Sequence, residues 1–402
     1  MSAGAGRAVR RGFPERGIPR ADMIFAAAVV IAYVVAAVLA TRTFHIAPDR
    51  MMVLADRIAQ GHLDAPSFAG TVDSVAFQGR FYVAVGLMQV LPYLPFVPFP
   101  PLQGLAPYVT SLAFGVPAAW LALPVARAYG ARGRAAIWIA TFTAFGTLLF
   151  FVSVLGNFYF LAQAEAFLFL ELALLEWVGR RRPWILGILF GLAFLARPTT
   201  VLAAIPFGVA LVWRHRERIA PLVWMAVPVA VAAALYGLFD WARFGSPLQT
   251  GYAISRLAQP ALVARRAMGM FSIAQVPENL RLALVQPFGV RPEFPYLVPN
   301  PYGLSMLLVS PALVTAAWAG VRRAPAAILW AAAGLVAVPV FLYYGGGYVQ
   351  YGFRYSLDFT PFLVALAALG SGRWIGLPEK ALVVFSVASV AFGVLWRAHV
   401  LA

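Results

Sequence analysis

The chain has 402 residues, of which 62% are hydrophobic and only 11% charged, with a mean hydropathy of +0.80. Soluble domains carry about 25% charged residues, so this composition excludes an ordinary globular protein and points to one embedded in a membrane. The net charge of +16 is topological rather than a nucleic-acid footprint, because its arginines cluster in short breaks between apolar runs, and the lack of cysteine excludes disulfides and thiolate metal sites.

A membrane helix needs roughly 20 apolar residues. The run 23–41, behind Arg7, Arg10, Arg11, Arg16 and Arg20, is too long for a signal-peptide core and has no small-x-small cleavage site, so it reads as a retained first helix. Further spans are predicted at 105–125, 135–154, 158–177, 184–196, 199–213, 222–239, 303–320, 327–343, 358–370 and 381–396. Arg127/Arg132/Arg134, Arg180–Arg182, Arg214/Arg216/Arg218, Arg322/Arg323 and Arg373 with Lys380 fall on every second connection, as positive-inside topology requires. The expectation is an all-α polytopic bundle of about eleven spans. Residues 1–402 are expected to form one domain in the cell membrane, with the N-terminus cytoplasmic, the C-terminus outside and no internal repeat.

Two long segments share the outer side, 42–103 and 240–302. In the first, Val53, Leu54, Ala55 and Ile58 against Asp56, Arg57 and Gln60 predict an amphipathic helix on the membrane, ending at Gly61. Asp49 stands at its start, as a helix cap or as a carboxylate placed to take a proton from a hydroxyl. Asp73 has the same two readings, turn residue or base. Residues 82–103 are apolar but contain Pro92, Pro95 and Pro98, each costing roughly 3 kcal/mol in a helix interior, so they read as a juxtamembrane segment. Between the outer segments, Arg197-Pro198 splits two half-length spans.

The second outer segment carries Arg243, Arg256, Arg265, Arg266, Arg281 and Arg291 against Asp240, Glu278 and Glu293. Each could be solvated loop charge, but six cations beside lipid together favour an anionic ligand such as phosphate. Arg354 and Arg197 stand at outer helix ends, and the local alternative for Arg354 is a salt bridge to Asp358 one turn on. Glu165 and Glu171 are costly inside the fourth span, while Glu176 neutralises the Arg180–Arg182 cluster. No histidine or carboxylate spacing marks a metal site.

These residues occur in an order that resembles the integral-membrane glycosyltransferases of the C-type fold, particularly the bacterial relatives of protein O-mannosyltransferases and aminoarabinose transferases. The resemblance rests on Asp49 with Ala55-Asp56-Arg57 and Gly61, and on Asp73 followed by Gly79-Arg80-Phe81-Tyr82. It continues through Leu195-Ala196-Arg197-Pro198-Thr199, Arg243-Phe244-Gly245-Ser246-Pro247 with Gly251-Tyr252, and Gly352-Phe353-Arg354-Tyr355 with Pro361-Phe362. It implies a polyprenyl-phosphate-linked sugar donor and inverting transfer to a lipid, glycan or protein acceptor on the outer face, with no cofactor. The first-loop base of the family maps onto Asp49, with Asp73 as competitor; Asp49 is followed by Arg50 where several relatives carry an acidic pair. Donor-phosphate contacts then fall to Arg197, Arg354, Arg243, Arg265 and Arg266, and the substrate pocket to Arg80, Tyr82, Tyr252 and Tyr355. Interfacial anchoring is the competing role for the tyrosines. No large soluble domain follows the last span, so acceptor recognition is expected from the outer loops. The alternative function is a transporter or flippase of lipid-linked saccharides using Glu165 and Glu171, although no second broken helix matches the break at Arg197-Pro198.

Overall fold

The computed structural model describes residues 20–43, 50–214 and 219–398. In chain order the helices are α1 (Arg20–Thr43), α2 (Arg50–Ala59), α3 (Leu87–Val90), α4 (Ala106–Ala128), α5 (Arg134–Phe145), α6 (Leu148–Val154), α7 (Phe158–Val178) and α8 (Pro183–Ala196). They continue with α9 (Ala204–Arg214), α10 (Ala220–Phe244), α11 (Pro260–Ala267), α12 (Val276–Leu284), α13 (Met306–Val309), α14 (Ala324–Leu342), α15 (Thr360–Ser371) and α16 (Leu377–Arg397). Three two-stranded pairs decorate this all-α bundle: β1 (Ser74–Phe77) with β2 (Arg80–Val83), β3 (Gly289–Val290) with β4 (Leu297–Val298), and β5 (Tyr302–Leu304) with β6 (Gln350–Gly352).

The chain is a multi-pass membrane protein. Among the described residues six helices, α1, α4, α7, α10, α14 and α16, are long and apolar enough to cross a bilayer, and α5 with α6 makes a seventh, bent by 45°. The bend falls at Gly146-Thr147, where the Thr147 hydroxyl caps α6 by accepting from the Leu149 amide. The other stretches expected as spans hold elements shorter than a bilayer crossing: α8, α9 and α15, and the 303–320 run as α13 followed by a 3₁₀ stretch, Pro311–Ala319. The split at Arg197-Pro198 is present, since α8 stops at Ala196 and a 3₁₀ turn, Pro198–Ala203, leads into α9.

Helix α7 is the axis of the bundle, packed on α4, α6, α8 and α15 with most of its residues buried. Beside it α8 lies so close to α10 that a Cβ built on Gly187 would sit 2.2 Å from the Met225 carbonyl oxygen, and one on Gly191 3.2 Å from that of Pro228. Backbone cannot rotate away as a side chain can, so these glycines, four residues apart, set the helix separation. Gly187→Ala is expected to destabilise the protein by about 1–3 kcal/mol in thermal unfolding of the detergent-solubilised chain. Gly334→Ala on α14, where a Cβ meets nothing within 4 Å, should cost no stability.

The first outer segment folds onto the bundle. The buried stripe of α2, Met51, Met52, Leu54 and Ala55, packs with Val83, Val85, Val90, Tyr93 and Leu161. This corrects the expectation of a helix resting its apolar face on lipid: that face is occupied by protein. The prolines break residues 87–105 into α3 and two 3₁₀ turns, Leu91–Phe96 and Pro100–Leu105, as expected. The hairpin β1–β2 turns through Gln78 and Gly79, both at positive φ (47° and 77°), the backbone a two-residue type I′ turn demands.

The second outer segment starts later than its charges suggest, because α10 runs on to Phe244 and takes Asp240 and Arg243 into its last turn. The two outer segments are stitched by backbone bonds, with the Asp73 amide donating to the Arg256 carbonyl at 2.7 Å and the Arg256 amide to the Ser74 carbonyl at 2.8 Å. The parallel pair β5–β6 fastens the end of the second segment to the stretch before Arg354.

Candidate active site

Asp73 sits where β1 begins, with φ at 61°, a left-handed conformation that few non-glycine residues adopt and that Asp tolerates better than most. Its backbone is held by Arg256 and by the Ala84 amide, which donates to its carbonyl at 3.4 Å. The Tyr159 hydroxyl, in the first turn of α7, donates to Asp73 Oδ2 at 2.6 Å. Among the described residues Oδ1 takes no hydrogen bond, so one carboxylate oxygen stays open. A strained backbone held from several sides is where proteins keep chemistry.

On the bundle side stand two arginines. Arg354 is 7% exposed, and its Nη1 donates to the Tyr159 carbonyl at 3.3 Å. The guanidinium lies 5.1 Å from the Phe160 ring and 5.2 Å from that of Tyr355, and its Nε has no partner among the described residues. No carboxylate among the described residues pairs with it. A buried cation without a counter-ion is costly, and an anionic ligand is the natural remedy.

The alternative considered for Arg354, a salt bridge to Asp358, does not form. Asp358, fully buried, belongs to Arg197: Nε lies 3.1 Å from Oδ1 and Nη2 2.8 Å from Oδ2, while the Thr199 hydroxyl donates to Oδ2 at 2.9 Å. This fork spans the chain from the α8 terminus to the 3₁₀ turn Arg354–Asp358. Arg197 also stacks 4.8 Å from the Tyr355 ring, so Tyr355 contacts both arginines. Tyr252, from the second outer segment, lies within electrostatic reach of Arg197, Tyr355, Arg243 and Asp73. Burial pushes its phenol up to about 12 against the pull of Arg197 and Arg243, leaving a neutral hydrogen-bonding group.

Other expected residues serve the frame. Arg243 is buried, paired with Asp240 and donating to the Val83 carbonyl at 3.1 Å, so it ties α10 to β2 rather than standing as loop charge. Tyr82 packs edge-on against Phe244 at 5.2 Å, inside the contact between the two outer segments. Arg265 is engaged by Gln275 Oε1 at 2.8 Å and Asn279 Oδ1 at 2.7 Å, and the Asn279 amide in turn caps the Phe341 and Tyr343 carbonyls. Arg266 donates to the Ser255 carbonyl at 2.6 Å and faces the Tyr344 ring at 5.9 Å. Arg80 is exposed on the hairpin, in the field of Asp64. Asp49 lies outside the described residues.

Sequence reading had no signal for Tyr159, which looks like any interfacial tyrosine, or for the row Tyr343, Tyr344 and Tyr355, whose neighbouring ring centroids are 4.7–6.4 Å apart. A pocket of about 400 Å³ lined by Trp318, Arg322, Arg323 and Gly370 lies at the other end of α14 and shares no residue with the cluster. No group of three or more metal-ligating side chains occurs among the described residues.

No family model matches the chain, and no curated protein matches it. Among solved structures it is similar to ArnT from Cupriavidus metallidurans bound to undecaprenyl phosphate, at 15% identity and a TM-score of 0.49, over 88% of this chain and 60% of that one. The chain thus spans about 60% of that protein's length, and so loose an overlap is compatible with many helical arrangements.

Proposed function

We propose that the protein is a membrane glycosyltransferase that moves a sugar from a polyprenyl-phosphate-linked donor to a hydroxyl acceptor on the outer face. The observation that carries this reading is the pairing of opposites at one place: Arg354, buried without a counter-ion among the described residues, bonded to the backbone of the residue whose hydroxyl holds Asp73. In the proposed step Asp73 Oδ1 takes the acceptor's hydroxyl proton as the hydroxyl oxygen attacks the anomeric carbon. The bond from that carbon to the phosphate oxygen breaks on the opposite side, inverting the centre and releasing the polyprenyl phosphate. Arg354 faces the growing phosphate charge, helped by the Arg197 nitrogen that Asp358 leaves free, the preorganised electrostatics that lower such barriers most. Tyr252 and Tyr355 flank the sugar.

The test is binding of undecaprenyl phosphate to the chain in lipid nanodiscs. Arg354→Gln should weaken it about tenfold or more, the worth of one charge-assisted hydrogen bond. Unchanged affinity would remove the phosphate site from this reading.

A further inference from the structure

We infer that Tyr159 is a positioning residue that couples the carboxylate of Asp73 to the phosphate-binding Arg354, an inference that rests on the transfer reaction proposed above. One residue supplies both contacts, its hydroxyl to Asp73 Oδ2 at 2.6 Å and its carbonyl to Arg354 Nη1 at 3.3 Å. The two contacts separate cleanly, because one uses the side chain and the other the backbone.

Tyr159 is also well fixed. Its amide donates to the Asn157 side chain at 2.9 Å in the cap of α7, and its ring lies 3.9 Å from that of Phe158. Helix α7 is the most enclosed of the spans, so the hydroxyl is presented from the rigid part of the molecule. Asp73, by contrast, sits on an outer loop tied through its backbone to a second outer loop. Among the described residues Tyr159 is the side chain that reaches the Asp73 carboxylate from the bundle.

The charged groups that face the Tyr159 hydroxyl besides Asp73 are Arg50, from α2, and Arg354. Occupying Oδ2, Tyr159 decides that Oδ1 is the oxygen turned to the acceptor. It also fixes the separation between the proton-accepting oxygen and the guanidinium at the leaving phosphate. In-line transfer depends on that separation, and a displacement of about 1 Å can cost as much as 10²-fold in rate.

Tyr159→Phe removes the hydroxyl and keeps the ring and the backbone carbonyl. In nanodiscs supplied with polyprenyl-phosphate sugars and a membrane acceptor extract, kcat should fall about 10- to 100-fold. The KM for donor and the affinity for undecaprenyl phosphate should stay within about twofold, since the Arg354 contact survives. Tyr159→Phe should lower the rate no further when Asp73 is already Asn, because a coupled pair is not additive. A kcat within about twofold of the parent protein, or loss of kcat, lipid binding and unfolding temperature together, would overturn the inference. If Asp73→Asn keeps full activity, the carboxylate reading itself fails. If Asp73→Asn is inactive while Tyr159→Phe is fully active, only the coupling fails.

Discussion

Asp73→Asn is expected to lower transfer by about 10²–10⁴-fold while leaving the fold and undecaprenyl phosphate binding intact. Asn has the size of Asp and shares its tolerance for left-handed backbone, so the φ of 61° adds no new strain. Its side-chain oxygen can still accept from the Tyr159 hydroxyl, and the backbone bonds to Arg256 and Ala84 do not involve the side chain. What disappears is basicity at the open oxygen. Measured beside it, Asp49→Asn separates the two candidate bases of the first outer segment. Full activity of Asp73→Asn with an inactive Asp49→Asn would move the proton-accepting role to Asp49.

Asp358→Ala is expected to be among the most damaging substitutions outside the transfer chemistry. Asp358 is fully buried and accepts from both Nε and Nη2 of Arg197 and from the Thr199 hydroxyl, while the Arg197 side chain is 21% exposed. Removing the carboxylate strands a largely buried guanidinium, which costs about 3–5 kcal/mol in such pairs, with the lower end fitting Arg197's partial contact with solvent. Thermal unfolding in detergent should register a loss of that size. Replacing both partners by leucine should recover much of it, because two matched apolar groups replace a charge without a mate. Equal stability of Asp358→Ala and the parent chain would mean that the ion pair does not hold α8 to the Arg354–Asp358 turn.

Hydropathy made the long apolar helices readable, because the bilayer sets one length. The break at Arg197-Pro198 was readable for a local reason, proline's dislike of a helical residue before it. The end of α10 was not, because Asp240 and Arg243 look like the start of a loop and become buried only when they pair with each other three residues apart. The amphipathic stripe of α2 announced itself, but a stripe does not say whether lipid or protein will cover it. Arg354 shows best why the site stayed half hidden. Asp358 stands four positions on, which on an α-helix places both on one face. The segment is instead a 3₁₀ turn of three residues per turn, which rotates the carboxylate away, toward an arginine 161 positions earlier in the chain.

Helix α7 carries Glu165 and Glu171 in its interior, and among the described residues none of their four oxygens has a partner. A carboxylate at the centre of a span raises the cost of leaving the translocon for lipid by roughly 2.5–3.5 kcal/mol on insertion scales, so this segment is a poor solitary traveller. During biosynthesis it gains from waiting beside α4 until α8 arrives, entering the hydrocarbon already escorted. The helix at the middle of the finished bundle is thereby the one whose integration depends most on its neighbours.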